Sequence, residues 1–370
     1  MVLRRLHAAH GPVVTLWTGS KPAIFIAQPD IAHRTLVRMG ATFAQHPRSV
    51  SYGVNVYGIN SAKSFPPGAN VHDSGSGSHW AALRRNLSSH LVPADISRPL
   101  QLSKDRLVQD LELAVREAAD DGGVVVPSDR LRHAVFRFFA ALCFGDGVDD
   151  GVLEHLRGLH AEIISLVVEL DVLHLVPVVL QIAHYFPRWW KIYNAQKRHR
   201  IVVMALINAR RGRQQKAGQD DGAVLPHCYV DSLLRLKLGD DEMVSLCWEF
   251  MNAAAKATSA ALEWIMARLV HHQDMQERLW NDISRRSGGG KRMNGGERPF
   301  VEAVVLEGLR RHPPGSVLSY GVAEIGRDAT LWTEPHVFSP ERFLEGGEGS
   351  IQHAGDDEDD AVRCRAEVMP

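Results

Sequence analysis

Glu307 and Arg310 are the residues whose spacing most directly suggests chemistry, because they lie three apart in the run Leu306-Glu-Gly-Leu-Arg310. On a helix this spacing puts a carboxylate and a guanidinium on one face, where they can pair. A solvated pair of this kind contributes roughly a few tenths of a kcal/mol and is common on surface helices. The pair becomes more informative because Arg342, in the run Ser339-Pro-Glu-Arg-Phe343, adds a second guanidinium downstream.

Familiar catalytic motifs are absent from the sequence. It contains no G-x-G-x-x-G, G-x-x-x-x-G-K-[ST], G-x-S-x-G or H-E-x-x-H. The 19 histidines show no metal-ligand spacing, so they are assigned to surface or core positions. The four cysteines contain no C-x-x-C pair, which argues against a disulfide framework or a zinc ribbon and favours a reducing compartment. They are Cys143, Cys228, Cys247 and Cys364.

The composition, 45% hydrophobic and 23% charged, is typical of a globular protein with a substantial core. The 42 basic and 43 acidic residues nearly cancel, which argues against a dedicated nucleic-acid binder. No run of about 18 or more apolar residues exists, so no transmembrane helix is predicted. The most apolar segment, Val172 to Phe186, is broken by polar residues and a proline. It favours a buried surface helix, with insertion into a membrane surface as the alternative.

The elements that must position these residues are mainly helical. Two β-rich runs, Val13–Trp17 and Ala23–Ala27, flank a glycine-containing turn and predict a hairpin, and Ile31–Met39 then has a helical pattern. Strand character returns only near Val317–Tyr320. The predicted class is therefore mainly α with a small β part. Further helices are predicted at His79–His90, Ile96–Ala119, Asp129–Cys143, Leu153–Leu170, Arg188–Gln215, Tyr229–Lys237, Asp241–His272, Asp274–Arg286 and Arg298–Arg311.

The segment from Glu307 to Phe343 resembles the cytochrome P-450 family of haem-thiolate monooxygenases. The resemblance is carried by the helix with Glu307-x-x-Arg310, which ends in Arg-His-Pro-Pro, and by a pattern downstream of it. That pattern consists of Arg327-Asp328, Trp332, Pro335 and the run Phe338-x-Pro-Glu-Arg-Phe343. It implies that Glu307, Arg310 and Arg342 form a buried charge network behind the haem. Each member is needed there, because an orphaned buried charge costs several kcal/mol.

The resemblance covers nearly the whole chain, and Pro22–Pro47 looks like the opening strand pair and helix of plant microsomal members. Trp80 and Arg84 match the family's W-x-x-x-R helix, whose side chains reach a haem propionate. A guanidinium suits a carboxylate because its planar fork bonds both oxygens. Taken alone, the two residues would be assigned to packing and surface. Asp241–His272 resembles the family's central helix over the haem, and residues 252–259 occupy its oxygen-binding groove.

The oxygen groove departs from the family pattern [AG]-G-x-[DE]-T-[TS], in which an acid and an alcohol deliver protons to dioxygen. Here Ala254 replaces the glycine, Lys256 the acid and Ala257 the alcohol, while Thr258 keeps the following position. The relay thereby loses both of its proton-carrying groups. Thr258 remains as the only candidate catalytic residue.

The iron ligand is the second departure. The family holds haem iron through the cysteine of F-x-x-G-x-R-x-C-x-G, downstream of P-E-R-F. Only Cys364 follows Phe343, and none of its flanking positions matches. Cys143 has two matching flanks but lies far upstream in a predicted helix. Cys364 is therefore the sole, poorly matched candidate for a metal ligand.

The resemblance implies a single P-450-like domain over residues 1–344, with an insertion near 63–78. Residues 345–370 form an acidic tail outside the family pattern, with Asp356–Asp360 as a solvated block. The family's β-hairpin and its propionate-binding basic residue after Tyr320, and its N-terminal anchor, are not found. Expected locations are the cytoplasm or the surface of the endoplasmic reticulum.

Two functions remain open at this point. The resemblance implies a monooxygenase that uses haem, dioxygen and a flavoprotein reductase to hydroxylate an apolar small molecule, with impaired activity in this chain. The alternative is a non-catalytic remnant that binds haem or an apolar ligand weakly. The missing cysteine loop and the change at Lys256 and Ala257 favour the alternative.

Overall fold

The computed structural model of the protein describes fourteen stretches of the chain, which form two compact units. One unit is built from residues 1–43 and 257–370, and the other from residues 44–256. The described residues are 2–18, 21–39, 78–91, 105–110, 112–113, 115–117, 127–145, 147–173, 178–217, 228–287, 299–312, 325–329, 331–344 and 346–349.

The first unit opens with a short helix and an antiparallel hairpin. Helix α1 (Val2–His10) precedes strands β1 (Val13–Thr18) and β2 (Lys21–Ile26), which pair Val13 with Ile26 and Thr18 with Lys21. The hairpin was predicted, whereas α1 was not. Helix α2 (Pro29–His33) then follows and passes into one π-helical turn, Arg34–Arg38.

Eight longer or core helices account for most of the remaining described chain, which confirms the predicted class. Their ends lie within a few residues of the predicted ones, except that α6 begins ten residues early and runs through Pro187. Residues 105–110, 112–113 and 115–117 are also helical. The helices are α3 (Ser78–Leu91), α4 (Pro127–Phe144), α5 (Asp150–Leu173), α6 (Val178–Ala217), α7 (Tyr229–Arg235), α8 (Asp240–His271), α9 (Gln273–Ser287) and α10 (Pro299–Arg311).

Charges at the helix ends explain where the central helix starts and stops. The first turn of α8 contains Asp240, Asp241 and Glu242, and its last turn contains Arg268 and His271. Acidic groups near the N-terminus and basic groups near the C-terminus both complement the helix dipole. The boundary between the two units falls inside α8, between Lys256 and Ala257.

Each unit has its own apolar core. In residues 44–256, side chains from α3, α4, α6, α7 and α8 pack together, with Tyr229 stacked on Phe250 at 4.9 Å. In the other unit, Ile265 of α8 packs with Phe300 and Val304 of α10 and with Phe338. This second core attaches the irregular segment after α10 to α8 and to α10, the helix that carries both Glu307 and Arg310.

Some predicted features lie outside the described residues: the strand near Val317–Tyr320, the insertion near 63–78 and the acidic block Asp356–Asp360. Within the described stretches, we find no helix with the length and apolar character needed to cross a bilayer.

Candidate functional site

Glu307 and Arg310 form a fully buried ion pair on one face of α10. Their side chains are 0% and 1% exposed. Arg310 donates from Nε to Oε2 of Glu307 at 2.6 Å and from Nη2 to Oε1 at 2.7 Å. The backbone N–H of Ser339 donates to the same Oε1 at 3.0 Å. Two parallel charge-assisted bonds fix the geometry of both groups, which a single bond would not do.

Arg342 brings a second guanidinium to the same carboxylate. Its Nε lies 3.4 Å from Oε2 of Glu307, a charge contact in which the N–H finds no hydrogen-bond acceptor. Its Nη1 donates to the carbonyl of Thr333 at 3.0 Å and to the carboxylate of Glu348. Two glutamates therefore face two arginines. We call Glu307, Arg310, Arg342 and Glu348 the charge network.

Glu348 was not expected in this network, because it lies just beyond the residue 344 boundary drawn from the sequence. Burial raises the pKa of its carboxyl, but hydrogen bonds from the Thr333 backbone and the charge of Arg342 outweigh that effect and lower it. The N–H of Gly349 also donates to the carbonyl of Arg342 at 2.6 Å. Residues 346–349 thus close over Arg342.

The charge network holds irregular backbone against α10. Arg310 donates to the carbonyls of Gly326, Pro335 and Val337, the last two at 3.1 and 3.4 Å. The ring of Trp332 lies 5.1 Å from the Arg310 guanidinium carbon. Because the carbonyls of these loop residues have no helix or sheet partner, Arg310 supplies donors that the backbone itself lacks. The network therefore holds this irregular backbone in place against α10.

The middle of α8 is unbroken helix through the groove positions. Lys256 is exposed, Ala257 and Thr258 are half-buried and Ser259 is buried. Although the Lys256 side chain is exposed, desolvation by the surrounding protein lowers its pKa. Residues 253–258 offer one ammonium and one hydroxyl, with no carboxyl.

The remaining predicted site residues are the candidates for binding a haem propionate and the haem iron. Trp80 and Arg84 both lie on α3, where the Arg84 side chain is exposed. Cys364 lies outside the described residues.

Comparison with known proteins decides the family. A sequence model described as cytochrome P450 matches residues 1–320 of this chain. The chain belongs to the cytochrome P450 family. Cytochrome P450 89A9 of Arabidopsis thaliana is 32% identical over 390 residues, covering 94% of this chain and 73% of that protein. Pluviatolide synthase of Sinopodophyllum hexandrum is 23% identical, with the same coverage of each chain. A zebrafish cytochrome P450 solved with abiraterone superposes with a TM-score of 0.71 at 18% identity, covering 94% of this chain and 82% of that one.

Cytochrome P450 proteins are haem monooxygenases, and a cysteine thiolate binds their iron. The cysteines that the structure describes do not fit this role. Cys143, Cys228 and Cys247 are all buried in the core of residues 44–256. Burial raises the pKa of Cys143 well above its usual value and that of Cys228 to about 12. The thiolate is the form that binds iron, so Cys143 and Cys228, whose thiols resist ionisation, are poor ligands.

Two buried polar pairs in this cytochrome P450 chain were not foreseen from the sequence. Arg210 of α6 donates to both carboxylate oxygens of Asp231 at 2.8 and 2.6 Å, which ties α6 to α7. His160 of α5 and His199 of α6 face each other with their Nε2 atoms 3.0 Å apart, and both rings contact Trp248 of α8. No motif marks these residues, because their partners lie 21 and 39 positions away.

Proposed function

We propose that this chain is a cytochrome P450-type monooxygenase by descent whose oxygen-activating function is impaired. The observation that carries the proposal is the pair Lys256–Ala257 in the unbroken middle of α8. The family resemblance places an acid and an alcohol at these positions. A positioned proton donor typically contributes about 10²–10⁴-fold to a reaction rate.

Neither replacement can take over this role. Ala257 has no hydroxyl to hold a water molecule or a proton. Lys256 carries an ammonium on a flexible stem, and its side chain is exposed, so solvent competes for its protons. Thr258 retains one hydroxyl but has no acid beside it in the sequence.

The alternative is a non-catalytic protein that binds haem or an apolar ligand weakly. It is supported by the three described cysteines, which are all buried in the core, where burial raises the pKa of Cys143 and Cys228. Under either function the expected small-molecule ligand is apolar. A flavoprotein reductase is the expected electron donor only if the protein is a monooxygenase.

A grafted protein tests the impairment at α8 separately from the iron ligand. The family's F-x-x-G-x-R-x-C-x-G loop is placed after Phe343, so that haem can bind through a thiolate. With reductase present, we expect this protein to consume reductant and release hydrogen peroxide with little oxygenated product. Adding Lys256→Asp and Ala257→Thr together should raise product per reductant by about 10²-fold or more.

Ala253→Thr provides the matched control, because residue 253 is an exposed alanine on the same helix, one turn away. It should leave the ratio of product to reductant unchanged. Efficient coupling in the grafted protein with Lys256 and Ala257 still in place would refute the assigned role of this groove.

A further inference from the structure

Cationic side chains converge at the end of α10, beside the charge network but outside it. Arg268 of α8 donates from Nε to Nε2 of His312 at 2.9 Å. Arg327 donates from Nη2 to the backbone carbonyl of Arg311. The ring of His312 lies parallel to that of Trp264, with 4.2 Å between their centres. We call Arg268, Arg311, His312 and Trp264 the arginine site.

Neither Arg268 nor Arg311 forms an ion pair with a carboxylate among the residues that the structure describes, although the charge of Glu307 partly offsets that of Arg311. Arg311 is 7% exposed, donates from Nη1 to the carbonyl of His336, and has a buried Nε–H without an acceptor. Among the residues that the structure describes, Arg268 donates only to His312. Each guanidinium carries five N–H donors, and one donor on each arginine has an acceptor among the described residues.

In the charge network of the same unit, by contrast, carboxylates compensate the buried guanidinium charges. There, Glu307 and Glu348 face Arg310 and Arg342. A buried charge without such a partner costs several kcal/mol. Burial and the repulsion of Arg268 lower the pKa of Arg311 to about 10, which leaves it charged at neutral pH.

His312 is suited to complete the site as a neutral group. Burial and the charges of Arg268, Arg327 and Arg311 lower its pKa to about 4. The neutral ring accepts the Arg268 hydrogen bond and stacks on Trp264. Since Trp264 is 51% exposed, the site reaches the surface.

We propose that the arginine site binds an oxyanion, a phosphate or carboxylate group held between the guanidinium groups of Arg268 and Arg311. The planar forks of arginine match the paired oxygens of such groups. The Trp264–His312 stack forms the rim.

The oxyanion has two possible sources. One is a free phosphate or a small molecule that carries one. The other is the acidic block of this chain, Asp356–Asp360. The Gly349 N–H donates a hydrogen bond to the carbonyl of Arg342, and the seven residues from Gly349 to Asp356 span at most about 25 Å.

The test uses the full chain and inorganic phosphate, against chloride at equal ionic strength. Melting temperature and tryptophan fluorescence are followed as phosphate is added, since a ligand of the folded state raises the melting temperature.

We expect Arg268→Gln to weaken phosphate binding about tenfold or more. Trp264→Phe should remove the fluorescence change and keep the thermal shift. Arg278→Gln is the matched control, because Arg278 is exposed in the same unit and already pairs with Glu341 at 2.5 Å.

A second chain with a neutralised acidic block separates the two sources. A phosphate response of equal size in both chains identifies a free oxyanion as the ligand. A response that appears only in the neutralised chain identifies the block as the occupant. The proposal is overturned if neither chain responds, or if Arg268→Gln responds like the unaltered chain. The block is neutralised by Asp356→Asn, Asp357→Asn, Glu358→Gln, Asp359→Asn and Asp360→Asn.

Discussion

Glu307→Ala is expected to cost about 3–5 kcal/mol of stability, because it leaves two buried guanidinium groups without their shared carboxylate. Arg310 loses both of its ion-pair bonds and Arg342 loses one of its two carboxylate contacts. The freed backbone N–H of Ser339 adds to the cost. The urea midpoint and the melting temperature of the purified chain measure this change.

Glu302→Ala is the matched control, because Glu302 is exposed on the same helix. It should change stability by less than about 0.5 kcal/mol. Glu307→Gln keeps the side chain's shape and removes its charge, so it should be nearly as costly as alanine. Equal effects of Glu307→Ala and Glu302→Ala would show that Glu307 is an ordinary surface carboxylate.

Acidification is expected to weaken the unit of residues 44–256 through the His160–His199 pair. Burial, with the positive charge of Lys256 as a smaller cause, lowers the pKa of His160 to about 3, and burial lowers that of His199 well below its usual value. The unfolded chain takes up protons near pH 6.5, whereas the folded chain excludes them until far lower pH. The contribution of the two histidines to the free energy of unfolding is therefore complete above about pH 6.5. It is lost as pH falls toward 3, by up to about 1.4 kcal/mol per pH unit for each ring.

His160→Leu combined with His199→Leu isolates this effect. The double variant should unfold at pH 7 with a midpoint near that of the unaltered chain, since replacing both partners of a buried hydrogen bond with apolar groups is often nearly neutral. Between pH 6.5 and 5, where carboxylates contribute little, its urea midpoint should fall less steeply. His155→Gln, at an exposed position on α5, should keep the original slope. Parallel slopes for the double variant and the unaltered chain would disprove the assignment.

Helices were largely predictable from the sequence, because apolar periodicity and end charges are local. The start of α8 illustrates this, since Asp240–Glu242 lie at its first turn. Helix α1 was missed because nine residues are too few to form a stable helix by local preference alone. The early start of α6 was also missed. Pro187 costs about 3 kcal/mol inside a helix, and nothing local in the sequence indicates that the helix continues through it.

The candidate site was predictable only where a motif joins residues across the chain. Glu307 and Arg310 are a helix pair, and Arg342 was linked to them by the family pattern. Glu348 and Asp231 were not recognised, because each pairs with an arginine that no spacing rule connects to it. The same holds for His160 and His199, whose meeting depends on how α5 and α6 pack.

The carbon monoxide complex of the reduced protein, prepared with haem supplied, tests most directly whether this chain can form a haem-thiolate centre. We predict no thiolate-type shift of the Soret band, because the described cysteines are buried core thiols and no family flank surrounds Cys364. The unaltered chain and Cys364→Ser should then give the same spectrum. A thiolate-type band in the unaltered chain that disappears in Cys364→Ser would contradict the proposal and identify Cys364 as the iron ligand.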